Sequence, residues 1–433
     1  MSWLRTILSL GAFLDEAARA QAKWELEVST TILTRRWKLL LIMLLPIAVG
    51  GGIHIVMAAG PDALGGSKAY MPNFVTPAMF YGSIFVGLMA GLITGCIGAG
   101  GGYVLTPALM SLGVRGITSV GTDQFHLFAK AIMGTAIHKK LGNVNLGLAA
   151  WFVIGSLSGV TLGGYLNRKC YQCSPALSDA LISALYVFIL GILGFYALYD
   201  WMRLRDPKIA AKSSIEATTA FAKKLQTVRL APRIRFDEEI VSGGRSISVY
   251  PVIFCGFIVG VVAAIMGVGG GFLTFPMFVY GLGVSTFTTV GTDILQIVFT
   301  TCYSSIFQYA VYGFVFYTIA MGMLLGSLIG VQIGALVTKM VTGAVIRAFY
   351  ALTILAGFVN RCCALPKKLT DAGYINLAES TGESIEAVGI VIFFGLITIF
   401  SAWVLGAFFK NAGRARTAEQ KEAAEKKSYG GLD

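Results

Sequence analysis

The protein has 433 residues, 56% of them hydrophobic and only 13% charged, where a soluble protein would carry about 25% charged residues. With a mean hydropathy of +0.74, these figures exclude a soluble enzyme or a nucleic-acid-binding domain. They make the excess of 34 Lys and Arg over 22 Asp and Glu a matter of membrane sidedness. Apolar runs long enough to span a bilayer recur along the sequence, and the ten-residue alternation of an outer-membrane barrel is absent from it. An all-α polytopic membrane protein is expected.

In order, residues 1–36 mix charged and apolar residues as an amphipathic N-terminal segment would. They do not read as a secretory signal. A first span is expected near 37–58, outside the repeats described below. A glycine-broken pair of segments follows at 76–96 and 99–113, then spans near 118–138, 145–166 and 177–201. Residues 202–248 form a basic linker. A second glycine-broken pair occupies 249–267 and 270–283, followed by spans near 287–312, 315–338, 341–361 and 386–409, and a charged tail at 410–433.

Basic residues set the orientation. They crowd the N-terminal segment, the linker and the tail, whereas the 59–75 loop carries only Lys68. Both termini and the linker are therefore expected in the cytoplasm. The count of crossings satisfies this only if each glycine-broken pair crosses twice or not at all.

The two halves repeat. Gly98, Gly100, Gly101, Gly102 and Pro107 in GAGGGYVLTP match Gly267, Gly269, Gly270, Gly271 and Pro276 in GVGGGFLTFP, 169 residues on (267 − 98). LGVRGITSVGTD at 112–123 matches LGVSTFTTVGTD at 282–293, and Gly155, Gly159 and Gly163 match Gly326, Gly330 and Gly334. The expected topology starts the first hairpin outside and the second inside. The halves 76–201 and 249–409 would thus be inverted-topology repeats, the arrangement that builds midplane substrate sites in many secondary transporters. Irregular backbone at membrane depth is tolerated where it lines a cavity or is buried in protein. Two such breaks could form an anion-binding nest. The small-xxx-small triplets read instead as helix-packing faces.

GAGGGYVLTPAL, GVGGGFLTFPMF and the SVGTD and TVGTD elements after them resemble the sulfite exporter TauE/SafE family. The resemblance covers about 76–201 and 249–409 and implies a membrane transporter of small sulfur oxyanions and organosulfonates such as sulfite.

Asp123, His126 and Lys130 share one helical face at i, i+3 and i+7. Intramembrane charges are expensive and usually functional. Lys130 is an anion counter-charge on one reading and half of a packing ion pair on the other. The second half offers Asp293, Gln296 and Thr300 at the same offset of 170, with Thr122 and Thr292 as further hydroxyls. Asn143 and Asn145 read as loop caps, His138 as interfacial, and His54 has no evident partner.

Cys96, Cys255 and Cys302 read as core residues. Cys170–Cys173 and Cys362–Cys363 admit free thiols, a disulfide set or a metal site. No catalytic constellation, cofactor or metal ligand set is expected, and no nucleic-acid partner. The expected partners are the anion, the bilayer and a coupling proton or cation. The leading expectation is a secondary transporter of sulfite, sulfate or an organosulfonate in the bacterial cytoplasmic membrane, working by alternating access. The rivals are an anion channel of the same fold, a redox or metal protein using the cysteine pairs, and a cation transporter using Asp123 and Asp293.

Overall fold

A computed structural model describes residues 77–97, 101–140, 144–204, 220–227, 230–237, 244–338 and 343–429. The chain divides into two compact units, 1–55 and 56–433. The expected N-terminal segment and first span, 1–58, lie outside the described residues, as do His54, Gly98, Gly100 and Asn143.

The second unit is a helical bundle. The first half contributes α1 (Pro77–Ile97), α2 (Gly102–Ser111), α3 (Gly116–Lys140), α4 (Leu146–Cys173) and α5 (Pro175–Leu204). The linker carries a short α6 (Ala220–Thr227) and an antiparallel hairpin, β1 (Arg233–Phe236) with β2 (Arg245–Ser248). The second half contributes α7 (Val249–Met266), α8 (Gly271–Pro276), α9 (Thr286–Tyr303), α10 (Tyr317–Thr338), α11 (Gly343–Asp371) and α12 (Glu379–Tyr429).

Local chemistry sets the boundaries. Pro77 and Pro175 open α1 and α5 at the position where the missing N–H costs nothing. The Asn145 side chain accepts the Leu148 N–H at 2.8 Å and caps α4, as expected for that residue. Ser285 does the same for α9 through Thr288. Among the described residues, seven helical segments are long and apolar enough to span a membrane: one each in α1, α4, α5, α7, α11 and α12, and one in α9 with its continuation to Tyr312. The span expected near 118–138, α3, is a helix of 25 residues but is not one of the seven; it carries Asp123, His126 and Lys130.

The segments after the two breaks are short. α2 has ten residues, and α8 has six before a π-helical turn, Met277–Leu282, takes over at Pro276. At 1.5 Å per residue a ten-residue helix covers about 15 Å, half the hydrocarbon thickness of a bilayer. Neither can cross alone.

The halves are interleaved. α1 packs along α10, and α7 along α4. Both pairs run parallel, because Gly155, Gly159 and Gly163 lie on the backbone of Ile253, Phe257 and Val261 in turn, and Gly326, Gly330 and Gly334 on that of Ile84, Leu88 and Leu92. Any Cβ at these glycines would collide with a carbonyl oxygen, so the triplets do serve as packing faces. α3 lies against α9, and α5 against α11. These pairs run antiparallel. Gly121 approaches Tyr309 while Thr135 reaches Ile294 O, and Gly191 meets Phe358 while Gly194 meets Leu355.

The linker hairpin is stitched to the bundle by an apolar cluster in which Ile234, Phe236 and Ile247 join Phe152, Val252, Phe278 and Leu282. Asp237 accepts both the N–H (2.9 Å) and the hydroxyl (2.6 Å) of Ser285 just ahead of α9. Arg245 donates to Gly283 O at 2.8 Å.

Candidate functional site

Two interruptions meet in the middle of the bundle. Gly101 (φ 70°) caps the start of α2. Gly267 (φ 84°) ends α7, and Gly269 (φ 63°) and Gly270 (φ 89°) lead into α8. These left-handed backbones suit glycine and strain most other residues. Close approach adds a second requirement. A Cβ on Gly101 would lie 2.7 Å from Thr94 Oγ1, and one on Gly267 would lie 2.8 Å from Val120 Cα. Gly102 and Gly271 are the first helical residues beyond each break. A Cβ on Gly102 would stand 3.0 Å from Val268 Cα, so the start of α2 touches the second break directly. Leu127 of α3 fills the contact: its Cδ1 would lie 3.3 Å from a Cβ on Gly102 and 2.9 Å from one on Gly269.

A helix that stops inside a bundle leaves carbonyls unpaired, and the two stops are served differently. At the end of α7, Ala263 O accepts Gln124 Nε2 at 2.7 Å, Met266 O accepts the Tyr186 hydroxyl at 2.7 Å, and Ala264 O accepts the Tyr309 hydroxyl. At the end of α1, Lys130 Nζ donates to Thr94 Oγ1 at 2.8 Å, and Thr94 donates to Ala90 O at 2.7 Å. One break is therefore closed by neutral donors and the other is approached by an ammonium. A cation at a helix C-terminus is favourable in itself.

Asp123, His126 and Lys130 do share a face of α3, and Asp123 and His126 are fully buried. Asp123 Oδ2 accepts the Thr106 hydroxyl of α2 at 3.0 Å. His126 Nε2 pairs with Ser327 Oγ of α10 at 2.9 Å. In the second half, Gln296 Nε2 donates to Asp293 Oδ1 at 2.8 Å, Thr300 donates to Gln296 Oε1 at 2.9 Å, and Ser156 of α4 pairs with Thr300 at 2.7 Å. Gln296, Thr300 and Ser156 are buried.

Thr122 and Thr292 have related tasks. The Thr122 hydroxyl accepts the N–H of Phe316 at 2.9 Å, just before α10, and the Thr292 hydroxyl accepts the N–H of Asn145 at 3.1 Å, just before α4. Each fixes the start of a helix from the other half.

Several contributors have no counterpart among the sequence expectations. Thr94, Thr106, Gln124, Tyr186, Ser156 and Ser327 hold the site together. The two serines follow Gly155 and Gly326 in the repeat, 171 residues apart (327 − 156). Arg361 is fully buried near the far end of α2. None of the seven cysteines is joined in a disulfide. Among the described residues, no group of three or more His, Cys, Asp or Glu is placed to hold a metal.

Broken helices packed across two interleaved halves, with a buried polar centre between them, define a polytopic membrane transporter. Residues 83–360 match the model of the sulfite exporter TauE/SafE family, and the chain belongs to that family. It is also 24% identical, over 251 residues, to a protein described as "Probable membrane transporter protein YjnA" from Bacillus subtilis (strain 168); the match covers 56% of this chain and 84% of that protein. No solved structure matches the chain.

Proposed function

We propose that the protein is a secondary transporter that moves a small sulfur-containing anion (sulfite, sulfate or an organosulfonate) across the bacterial cytoplasmic membrane by alternating access. The two glycine breaks would cradle the anion. Lys130 supplies the counter-charge, and Gln296 and Thr300, hydrogen-bonded to Asp293 and to each other, supply a neutral polar wall from the opposite half. Asp123, His126 and Asp293 flank this centre, while Thr122 and Thr292 hold its walls. The observation that carries this reading is the meeting of the two breaks beside Lys130. There the start of α2 faces Val268 and an ammonium reaches the end of α1. Helix N-termini and positively charged side chains both favour an anion at such a point.

In this reading the halves are inverted repeats. The support is directional. The corresponding helices α3 and α9 run antiparallel, as do α5 and α11, and each half's opening helix lies along the fourth helical segment of the other. Both termini and the linker would then face the cytoplasm, as the basic residues require. Rocking of one interleaved unit against the other would expose the breaks alternately to each side.

The test is uptake of radiolabelled sulfite, sulfate and an organosulfonate into liposomes holding the purified protein. Saturable uptake with counterflow of unlabelled anion is expected for at least one of them. Flux without counterflow would indicate a channel, and the absence of flux for all three would reject the substrate class.

A further inference from the structure

Two buried atoms on α3 face each other without a partner. Asp123 Oδ1 and His126 Nδ1 are both buried and make no hydrogen bond, and they lie 3.8 Å apart. The rest of each side chain is engaged, Asp123 Oδ2 by Thr106 and His126 Nε2 by Ser327. Ser327 has one hydroxyl hydrogen, and Leu324 O stands 3.3 Å away to accept it. In that arrangement His126 Nε2 is the donor in the pair with Ser327, and in the neutral ring Nδ1 is left as an acceptor. A carboxylate oxygen therefore confronts an imidazole lone pair. Two buried acceptors at this separation are one proton short of a hydrogen bond.

The second half shows the same connection already made. Gln296 stands where His126 stands (126 + 170), Asp293 where Asp123 stands, and Ser156 where Ser327 stands (327 − 171). There an amide hydrogen closes the gap permanently, and hydrogen bonds run unbroken from Asp293 through Gln296 and Thr300 to Ser156 on α4. In the first half the run goes from Thr106 on α2 to Asp123, stops, and resumes from His126 to Ser327 on α10.

We propose that Asp123 and His126 together carry one exchangeable proton, and that this proton is the coupling ion of transport. Taken up from one side, it sits between Oδ1 and Nδ1 and completes the hydrogen-bonded run from α2 to α10. Released to the other side, it leaves the two elements uncoupled. The pair titrates as a unit. The ionisable groups acting on it are Lys130, on the same helix, and Tyr186 of α5, whose hydroxyl is held by Met266 O. This inference rests on the transporter reading and names the ion that drives it.

The sequence makes a direct measurement practical, because it contains three histidines, His54, His126 and His138. With histidine labelled with nitrogen-15 in the full-length protein in lipid nanodiscs, His54→Gln and His138→Gln assign the His126 signals by elimination. The His126 Nδ1 resonance is expected to move as the pH is varied over the range in which the protein stays folded, and Asp123→Asn should abolish that movement. In liposomes, entry of labelled sulfite should be accompanied by entry of protons, read with a trapped pH dye. His126→Gln, which copies the second half, should carry whatever sulfite it carries without protons. An Nδ1 resonance that stays fixed across the range would overturn the proposal. So would proton entry at an unchanged ratio to sulfite in His126→Gln, or a sodium gradient that replaces the proton gradient. If the wild-type protein moves none of the sulfur anions, the substrate reading fails while the resonance still decides the proton site. If His126→Gln does not fold, the titrations of the wild type and Asp123→Asn decide it alone.

Discussion

Lys130 Nζ on α3 donates to Thr94 Oγ1 in the last turn of α1, 2.8 Å away. The bond places a positive charge in the last turn of α1, the negative end of its helix dipole, so the charge has two candidate duties. If it serves the anion, Lys130→Met should weaken sulfite binding about ten- to a hundredfold, since a hydrogen bond to a charged group contributes about 1.5–3 kcal/mol. Thr94→Val, which keeps the ammonium and removes its present partner, should weaken binding far less. If the lysine only closes α1, both variants should lower the melting temperature in detergent and neither should change affinity in those molecules that fold. Affinity and melting measured on the same preparations separate the two duties.

Thr122 and Thr292 yield a paired prediction. Each hydroxyl accepts the N–H that precedes a helix of the other half, Phe316 in one case and Asn145 in the other. Replacement by Val removes the acceptor and leaves a backbone donor without it, a loss of about 1–3 kcal/mol. Thr122→Val and Thr292→Val should both lower the melting temperature, whereas Thr→Ser at either position should retain it. A loss of sulfite affinity in a Thr→Val protein of unaltered melting temperature would assign the hydroxyl to the anion instead.

The sequence announced the helices and both breaks because their signals are local. Apolar runs, glycines and prolines need no tertiary knowledge, and the i, i+3, i+7 spacing put Asp123, His126 and Lys130 on one face. Interleaving of the halves was not legible. Nothing in GxGGG says that α7 will lie along α4 rather than along a helix of its own half. The partners of the site were hidden for the same reason. Thr94, Thr106 and Ser327 are ordinary hydroxyl residues until packing brings them to Lys130, Asp123 and His126. The repeat did hold one unused signal, since Ser156 and Ser327 sit directly after the aligned Gly155 and Gly326. The linker hairpin was obscured by its strongly basic composition, although Ile234, Phe236 and Ile247 alternate with polar residues as half-buried strands do.

Glycine substitutions should divide by environment. A Cβ on Gly159 would meet the carbonyl of Phe257, and one on Gly330 the carbonyl of Leu88. Neither backbone can retreat without parting two helices, so Gly159→Ala and Gly330→Ala should reduce the yield of folded protein sharply. Gly395, within α12, has no atom within 4 Å of its Cβ position. Gly395→Ala should be neutral or stabilising by up to about 1 kcal/mol through helix propensity. Size-exclusion recovery and thermal melting of the three variants test the division. Normal recovery of the first two would refute backbone contact as the role of the triplets.

Arg361 is among the largest fully buried side chains of the described residues, and it joins α11 to the end of α2 remote from the break. Its guanidinium donates to Asn360 Oδ1 at 2.8 Å, Ser111 Oγ at 3.1 Å, Pro107 O at 3.3 Å and Met110 Sδ at 3.3 Å. Asp179 and Glu386 are acidic groups that act on it, and Asp179 also accepts the first N–H of α3, from Gly116, at 2.8 Å. The cation thus anchors the short helix that leads out of the first break, by a fork of donors that lysine cannot reproduce. Arg361→Met should destabilise strongly, on the order of 3–5 kcal/mol, because it leaves buried acceptors and acids unbalanced. Arg361→Lys should recover only part of that loss. Adding Asp179→Asn to Arg361→Met should restore stability in part if the uncompensated carboxylate is the main cost, and should do nothing if the lost hydrogen bonds to α2 are. Sulfite counterflow in the stabilised double variant then reads the anchor itself. Slow exchange at near-normal affinity is the expected result, since α2 would still present its glycine end to the anion while its other end was no longer held.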